Sequence, residues 1–404
     1  MDSPGQRRTI LMSSEITQQV PFFRLDCGQA ERDNVSRVLD SGWLTTGEWA
    51  MRFEREFAEA VGARHALAVN SCTAALHLAL EAIGVSAGDE VLVPSLTFAA
   101  TAEVVRYLGA TPVLADVDVT TGCLGPEQVK AALNSHKLKA VIPVHFAGHA
   151  ADIPAIRAVC DPLGIDVIED AAHAFPARIG GRYIGGLSRC TCFSFYANKT
   201  ITTGEGGMVT TDDDALAARM KLMRIHGIDR DAWGRYRSAG ASWRYDVVAP
   251  GFKYNLPDLA AAVGVAQLSR SPLMHSRRTA LAMRYLAGLR TERSIRLPAS
   301  PSNPSDHAWH IFVVRIAPEL AESRDRAITM LGERGIATSM HYWPLHRMTY
   351  YSALPTADAK RLPVAEDWGK TAISLPLFST MSDLECDAVI AAVRETMRVL
   401  TGAR

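Results

Sequence analysis

Residues Cys192–Gly207 read CFSFYANKTITTGEGG. The run opens with Phe193-Ser194-Phe195-Tyr196, apolar and small residues in alternation, the pattern of a strand. It then presents one lysine, Lys199, and closes on Thr202-Thr203-Gly204-Glu205-Gly206-Gly207. Clustered glycines let backbone approach backbone, or ligand, where side chains would clash. Met208-Val209-Thr210-Thr211 reads as a second strand, so Lys199 falls in a loop between two strands. An ammonium removed from water without a partner is costly and tends to shed its proton. A neutral amine in a half-enclosed pocket is what a Schiff-base lysine requires. From this stretch alone, a solvated loop lysine explains the residue equally well.

The chain upstream shifts that balance. Val167-Ile168-Glu169-Asp170-Ala171-Ala172-His173 is an apolar strand ending in acids. A lysine to hold an aldehyde and an acid to pair with a protonated pyridine nitrogen are the two groups a pyridoxal phosphate (PLP) site needs. Lys199 and Asp170 are the candidates. The segments VIEDAAHA, SFYANK and TTGEGG together resemble the sugar aminotransferase family named DegT/DnrJ/EryC1/StrS. The resemblance runs from about Pro21 to the C-terminus. It implies an α/β chain of the fold type I PLP-dependent aminotransferase architecture. That architecture has a large domain with a mostly parallel sheet covered by helices and a smaller C-terminal α/β domain.

Composition is consistent with this. The 404 residues can bury a large core and suit a large domain plus a smaller one. The hydrophobic fraction is 48%, and Lys+Arg equals Asp+Glu at 43 each. A disordered chain is not expected, and the charge balance gives no reason to expect nucleic acid or an anionic membrane as partner. The seven cysteines show no repeated metal-ligand spacing, and Cys190-Thr191-Cys192 reads as two small buried thiols. A reducing, cytoplasmic location is expected. The first residues carry a basic pair but no apolar core, so residues 1–20 are expected to be a flexible arm rather than a signal peptide. No stretch of about 20 apolar residues occurs. Neither GxGxxG nor GxxxxGK[ST] occurs, so NAD or ATP chemistry is not supported.

In order, the chain reads as alternating elements. A weak helical pattern covers Gln29–Leu39. Ser41-Gly42-Trp43-Leu44-Thr45-Thr46-Gly47-Glu48 is a turn with a packed tryptophan or, by resemblance, a segment that approaches substrate. The strand His65–Val69 feeds the helical run Ala74–Ile83 through Asn70-Ser71-Cys72-Thr73. Free N–H groups at such a helix start can bind phosphate, although simple capping is the commoner role of Ser and Thr. Strands at Glu90–Pro94, Pro112–Asp118, Ala140–His145 and Ile165–Asp170 alternate with helices at Ala99–Leu108, Pro126–Leu133 and Ala151–Leu163. This alternation predicts a mostly parallel, doubly covered sheet with ligand at the strands' C-terminal ends. Asp213–His226 reads as helix and 227–242 as a polar loop. A helix over Asp258–Leu268, with Pro257 suited to its first turn, is followed from about Ser271 by a second helical stretch to Leu289. The domain change is placed there, dividing 21–270 from 271–404. The tail is expected to hold a strand at Trp309–Arg315, a helix at Asp325–Arg334, a strand at Ile336–Met340, and a last helix opened by the capping box Ser382-Asp383-Leu384-Glu385.

The resemblance also implies roles. Thr73 and Ala74 match positions whose backbone holds the PLP phosphate, and Ser194 matches the serine that helps. Phe98 matches the aromatic stacked on the ring; taken alone it is more often a core residue. His173 matches a Gln or His beside the cofactor; a lone histidine is more often structural. Asn255, in Gly251-Phe252-Lys253-Tyr254-Asn255-Leu256, matches an asparagine that reaches the partner's phosphate, which implies a homodimer with shared active sites. Tyr196 and Thr200 depart from the residues usual there. His307-Ala308-Trp309-His310, His341-Tyr342-Trp343 and Ser374-Leu375-Pro376-Leu377-Phe378 resemble substrate-facing or framework segments of relatives, although a His/Trp cluster is more often packing than chemistry. HAWH and the run RGIATSMHY at 334–342 resemble most closely the subgroup that makes UDP-4-amino-4-deoxy-L-arabinose. HxxH without a third ligand makes no metal site.

The implied reaction is amino transfer from L-glutamate to a nucleotide-linked 4-keto sugar. Two rivals stay open: a PLP-dependent sugar dehydratase, whose known examples have His in place of this lysine, and a non-catalytic PLP or sugar-nucleotide binder.

Overall fold

The computed structural model describes residues 19–229, 245–358, 360 and 362–402. The expected arm therefore lies almost wholly outside the described residues, as does most of the polar loop at 227–242. In order, the elements are α1 Gln29–Ser41, α2 Glu48–Val61, β1 His65–Val69, α3 Cys72–Ala82, β2 Glu90–Pro94, α4 Ala100–Tyr107, β3 Thr111–Ala115, α5 Pro126–Leu133, β4 Leu138–Val141, α6 Ile153–Cys160 and β5 Asp166–Asp170. A short hairpin follows, β6 Arg178–Ile179 and β7 Arg182–Tyr183, then β8 Cys190–Ser194, β9 Gly207–Thr211 and α7 Asp214–Met223. The rest comprises α8 Asp258–Leu289, β10 Ile295–Arg296, β11 Phe312–Ile316, α9 Arg324–Glu333, α10 Pro363–Thr371, β12 Ala372–Leu375 and α11 Asp383–Thr401.

The large sheet has seven strands in the order β1-β9-β8-β5-β4-β2-β3. Neighbours pair in parallel from β8 to β3, whereas β9 runs antiparallel to both β8 and β1. The sheet is buried on both faces, as a sheet of crossover connections must be. One apolar layer joins Phe53, Phe57, Phe193 and Val265 on the α2 and α8 side; the other joins Leu76, Val104, Val209 and Met220 under α3, α4 and α7. Most residues of α3 are buried, consistent with a short helix packed inside the molecule rather than on its rim.

The second helical stretch is not separate. One helix, α8, runs from Asp258 to Leu289 with Pro272 inside it. The expected division at 271 falls within this helix. It continues because both of its halves have an apolar face to bury: Ala261 and Val265 under the large sheet, Leu281, Tyr285 and Leu289 in a third core. That core lies behind the small antiparallel sheet β10-β11-β12 and α11. The expected strand at Ile336–Met340 is reduced to isolated bridges, Val20 with Ile336 and Ser339 with Ser374. The strand expected from Trp309 begins instead at Phe312, because Trp309 takes a left-handed backbone (φ 48°) that no strand can hold. Unforeseen in the sequence was α2, whose N-terminal N–H groups are capped from far along the chain: Asp258 accepts from Gly47 at 2.7 Å, Ala50 at 3.0 Å and Trp49 at 3.2 Å.

Candidate active site

The C-terminal ends of β2, β5 and β8 and the N-terminus of α3 open onto one cavity of about 470 Å³. Its walls include Thr73, Phe98, Asp170, His173, Ser194 and Lys199, six of the eight residues singled out in the sequence. The size suits a small organic ligand. Alternating βα connections bring these residues together because each follows a strand end.

Lys199 sits in the β8–β9 loop, and the threonines and glycines around it brace that loop. Lys199 N–H donates to Tyr196 O (2.9 Å), Thr203 N–H to Phe195 O (3.0 Å) and Phe195 N–H to Gly206 O (2.9 Å). The Thr202 hydroxyl donates to Phe195 O at 3.0 Å and accepts from Gly204 N–H at 2.9 Å. Gly207 is needed for space: a Cβ there would lie 2.5 Å from the carbonyl carbon of Ser71. Its absence lets β9 hold the start of α3 against the lysine loop. Burial pulls the Lys199 pKa from 10.5 down to about 8, with Cys72 and Asp170 opposing. The amine is thus poised near neutrality.

Asp170 ends β5 and is buried. Burial lifts its pKa above the usual carboxylate value, while the Thr101 hydroxyl, the Ala172 N–H, Lys199 and His145 pull it down. The Thr101 hydroxyl donates to Oδ2 at 2.8 Å and the Ala172 N–H to Oδ1 at 3.1 Å. Such a carboxylate is prepared to be an anion once a cation lies against it.

On the same cavity wall, Ser71 caps α3, its Oγ accepting the Ala74 N–H at 3.1 Å. Thr73 lines the cavity, whereas Ala74 does not, and the Ala74 N–H is spoken for by that cap. The Ser194 hydroxyl accepts from Tyr196 N–H at 3.3 Å, which leaves its own hydrogen to donate. Phe98 is 61% exposed, a large ring presented to the cavity rather than to the core. Tyr196 also lines the cavity, but Thr200 faces away, its hydroxyl donating to Phe175 O at 2.6 Å. Asn255 is not part of the cavity wall of its own chain: its Nδ2 donates to Thr46 Oγ1 at 2.7 Å and its Oδ1 accepts from Lys253 Nζ at 2.5 Å.

The wall also includes Asn198, which had not been singled out, and His310, His341 and Tyr342, which had been read only as parts of substrate-facing or framework segments without individual roles. His341 and Tyr342 stand in the RGIATSMHY run and His310 in HAWH, but nothing local to those segments says which side chains meet Lys199. Thr101 looked like an ordinary helix residue. His310 Nδ1 and Asn198 Oδ1 are buried without a hydrogen-bond partner. Unpaired buried polar atoms are costly, and their presence in a cavity wall is what a site built for a polar ligand shows.

These residues fit PLP. An amine for the aldehyde, a buried acid, an exposed ring for the apolar face, and a helix start with hydroxyl donors for the phosphate line one cavity. The described residues contain no group of three or more His, Cys, Asp or Glu suited to a metal ion. No described helix is long and apolar enough to cross a membrane.

Comparison with known proteins agrees. The chain is 44% identical over 381 residues to the spore coat polysaccharide biosynthesis protein SpsC of Bacillus subtilis, covering 94% of this chain and 97% of that protein. It superposes on the sugar aminotransferase Spr1654 of Streptococcus pneumoniae in its PMP form with a TM-score of 0.88 at 30% identity, covering 95% of this chain and 99% of the other. The PLP form of Spr1654 gives a TM-score of 0.87. The aminotransferase TlmJ of Streptoalloteichus hindustanus matches with a TM-score of 0.86 at 33% identity, over 95% of this chain and all of that one (100%). Residues 26–394 match a single family description, and with the site built as above, the chain belongs to the DegT/DnrJ/EryC1/StrS aminotransferase family.

Proposed function

We propose that this PLP-dependent sugar aminotransferase takes its amino group from L-glutamate and delivers it to a nucleotide-linked 4-keto sugar, working in the cytoplasm as a homodimer with shared active sites. The observation that carries the reading is Lys199, Asp170 and the start of α3 lining one cavity.

When bound, PLP supplies an aldehyde that carries the amino group and a pyridine ring that delocalises charge. The chain's residues do the rest. Lys199 provides the amine that holds the carrier and, when displaced by the amino donor, takes the proton from the donor's α-carbon. A lysine of ordinary basicity is almost wholly protonated at neutral pH; burial makes the neutral form accessible. Asp170 holds negative charge at the ring-nitrogen end, kept in place by Thr101 and Ala172. Thr73 and Ser194 offer donors for phosphate, and the Phe98 ring covers an apolar face. Asn255, outside its own cavity, is left to complete the site of a second chain. The SpsC relative is named for polysaccharide biosynthesis, which is in keeping with a sugar as the acceptor.

The test is the visible spectrum of the purified protein before and after L-glutamate, followed by turnover with a panel of keto-sugar nucleotides and the corresponding free sugars. Bleaching of the lysine-bound band by glutamate, then an aminated nucleotide sugar, is expected. Bleaching only by another amino acid would overturn the donor. A deoxy sugar without amine transfer would point to a dehydratase, and a band inert to every donor to a binder.

A further inference from the structure

His173 lines the cavity, yet both its ring nitrogens are committed within the protein. The backbone N–H of Ala147 points at Nδ1 from 3.3 Å. An N–H can only donate, so Nδ1 is the unprotonated nitrogen of the ring. In the neutral ring Nε2 then carries the hydrogen, and Nε2 lies 3.0 Å from the Tyr342 hydroxyl oxygen. The charged ring would set two N–H groups against each other at Ala147. Burial, and Lys199 nearby, also push the proton affinity of His173 well below its ordinary value. The Tyr342 oxygen is therefore the acceptor of that bond, and its own hydrogen is left over.

The backbone that enforces this is strained and clamped. Ala147 has φ 59°, a left-handed conformation that strains a residue with a Cβ and is kept only where the surroundings demand it. Gly148 follows at φ 101°, and a Cβ on it would meet Ala308 Cβ and Trp309 N at 3.0 Å each. Its carbonyl accepts from Ala308 N–H at 2.9 Å. The turn is wedged against the 308–309 segment, which keeps the Ala147 N–H aimed at His173.

Tyr342 lines the same cavity as Lys199 and Asp170. We propose that His173 orients Tyr342 so that the tyrosine hydroxyl donates to an oxygen of the ligand held beside Lys199. The acceptor is the phenolic oxygen of the cofactor or an oxygen of the keto sugar. Tyr342 is the residue that touches ligand; His173 is a positioning residue. The identity of the ligand rests on the function proposed above.

Tyr342→Phe keeps the ring and removes the donor. With the cofactor's oxygen as acceptor, PLP binds about tenfold more weakly and the visible band of the loaded enzyme shifts. With the sugar's oxygen as acceptor, PLP affinity is unchanged and KM for the best keto-sugar nucleotide of the panel rises about tenfold. Either result supports the proposal; wild-type PLP affinity, band and sugar KM together overturn it. His173→Gln, whose amide can donate to the same hydroxyl, is expected to retain function, whereas His173→Leu loses as much as Tyr342→Phe and adds nothing to it in the double variant. Nitrogen-15 NMR of the histidines in the cofactor-free protein reads the tautomer directly. A neutral ring with hydrogen on Nε2 is expected; hydrogen on Nδ1, or a charged ring at pH 7, overturns the inference. A wild-type enzyme that carries PLP and transfers an amino group keeps the proposed function standing whatever these variants do.

Discussion

The Thr101 hydroxyl donates to Asp170 Oδ2 over 2.8 Å, and the Thr97 hydroxyl lies 2.8 Å behind it. Because Thr101 spends its hydrogen on the carboxylate, Thr97 must supply the hydrogen between the two threonines. The pair forms a buried relay that ends on Asp170, the acid proposed above to pair with the ring nitrogen of PLP. It offsets part of the burial penalty that lifts the Asp170 pKa, while in the lysine loop burial makes an amine more ready to give up its charge.

Thr101→Val tests the relay. It keeps the shape and removes a hydrogen bond to a charged group, worth about 1.5–3 kcal/mol. With one stabilising donor gone, the Asp170 pKa rises further. We expect the rate of the amino-donor half reaction to fall by roughly 10- to 100-fold. Single-turnover bleaching by glutamate measures it. Thr101→Ser should recover most of the loss, and a Thr101→Val enzyme as fast as wild type would remove the relay from the mechanism.

Lys199 predicts a pH dependence. With its pKa depressed from 10.5 to about 8, the amine of the cofactor-free protein should capture PLP with a rate that climbs through pH 8 and levels off well before 10.5. The linkage runs the same way. Between those values the unfolded chain holds more protons at this residue, so its cost to stability is full below about pH 8 and fades as pH rises towards 10.5. Stopped-flow PLP capture against pH checks the first point. Lys199→Ala and Lys199→Arg should both abolish turnover, the second because a guanidinium stays charged and cannot act as the amine.

How much of this was legible in the sequence depends on whether the determinants are local. His65–Val69 and Glu90–Pro94 form where read, because each is an apolar run bounded by polar or turn residues. Lys199 and Asp170 were legible because each follows a strand, and strand ends converge in this sheet. The α2 helix was not read, since its cap is Asp258 rather than a neighbouring Ser or Thr. Tyr342 was legible only as part of a substrate-facing or framework segment, for the same reason at larger scale: its individual role is set by His173, which takes its own orientation from the Ala147 turn. The RGIATSMHY segment has strand-like composition, but Ser339 meets Ser374 only at a bridge, and composition cannot show how far an edge will pair.

Gly207→Ala separates space from flexibility. Gly207 is not among the left-handed glycines, so the backbone would accept alanine. The new Cβ, however, would lie 2.5–2.7 Å from Ser71 C, Ser71 O and Cys72 N, all backbone atoms. Relief requires β9 or the start of α3 to move, at a cost of about 1–3 kcal/mol. We expect a lowered melting temperature together with weakened PLP binding, since the displaced residues lead into the phosphate end. A loss of stability with unchanged PLP affinity would show that the start of α3 does not hold the phosphate.

Asn255 predicts complementation between chains. It lies outside the cavity of its own protomer, tied to Thr46 and Lys253 at the surface of the large domain. If it completes a partner's phosphate site, Lys199→Ala and Asn255→Ala should each be nearly inactive alone. A mixed dimer then contains one site with both substitutions and one with neither. Refolding an equimolar mixture should restore activity to about one quarter of wild type, because half of the random dimers are mixed and half of their sites are native. If Asn255 acted within its own chain, every site in the mixture would carry one substitution and the activity would stay at the level of the separate variants. Size-exclusion of each variant beforehand checks that dimers form, so that absence of rescue counts against the shared site and not against assembly.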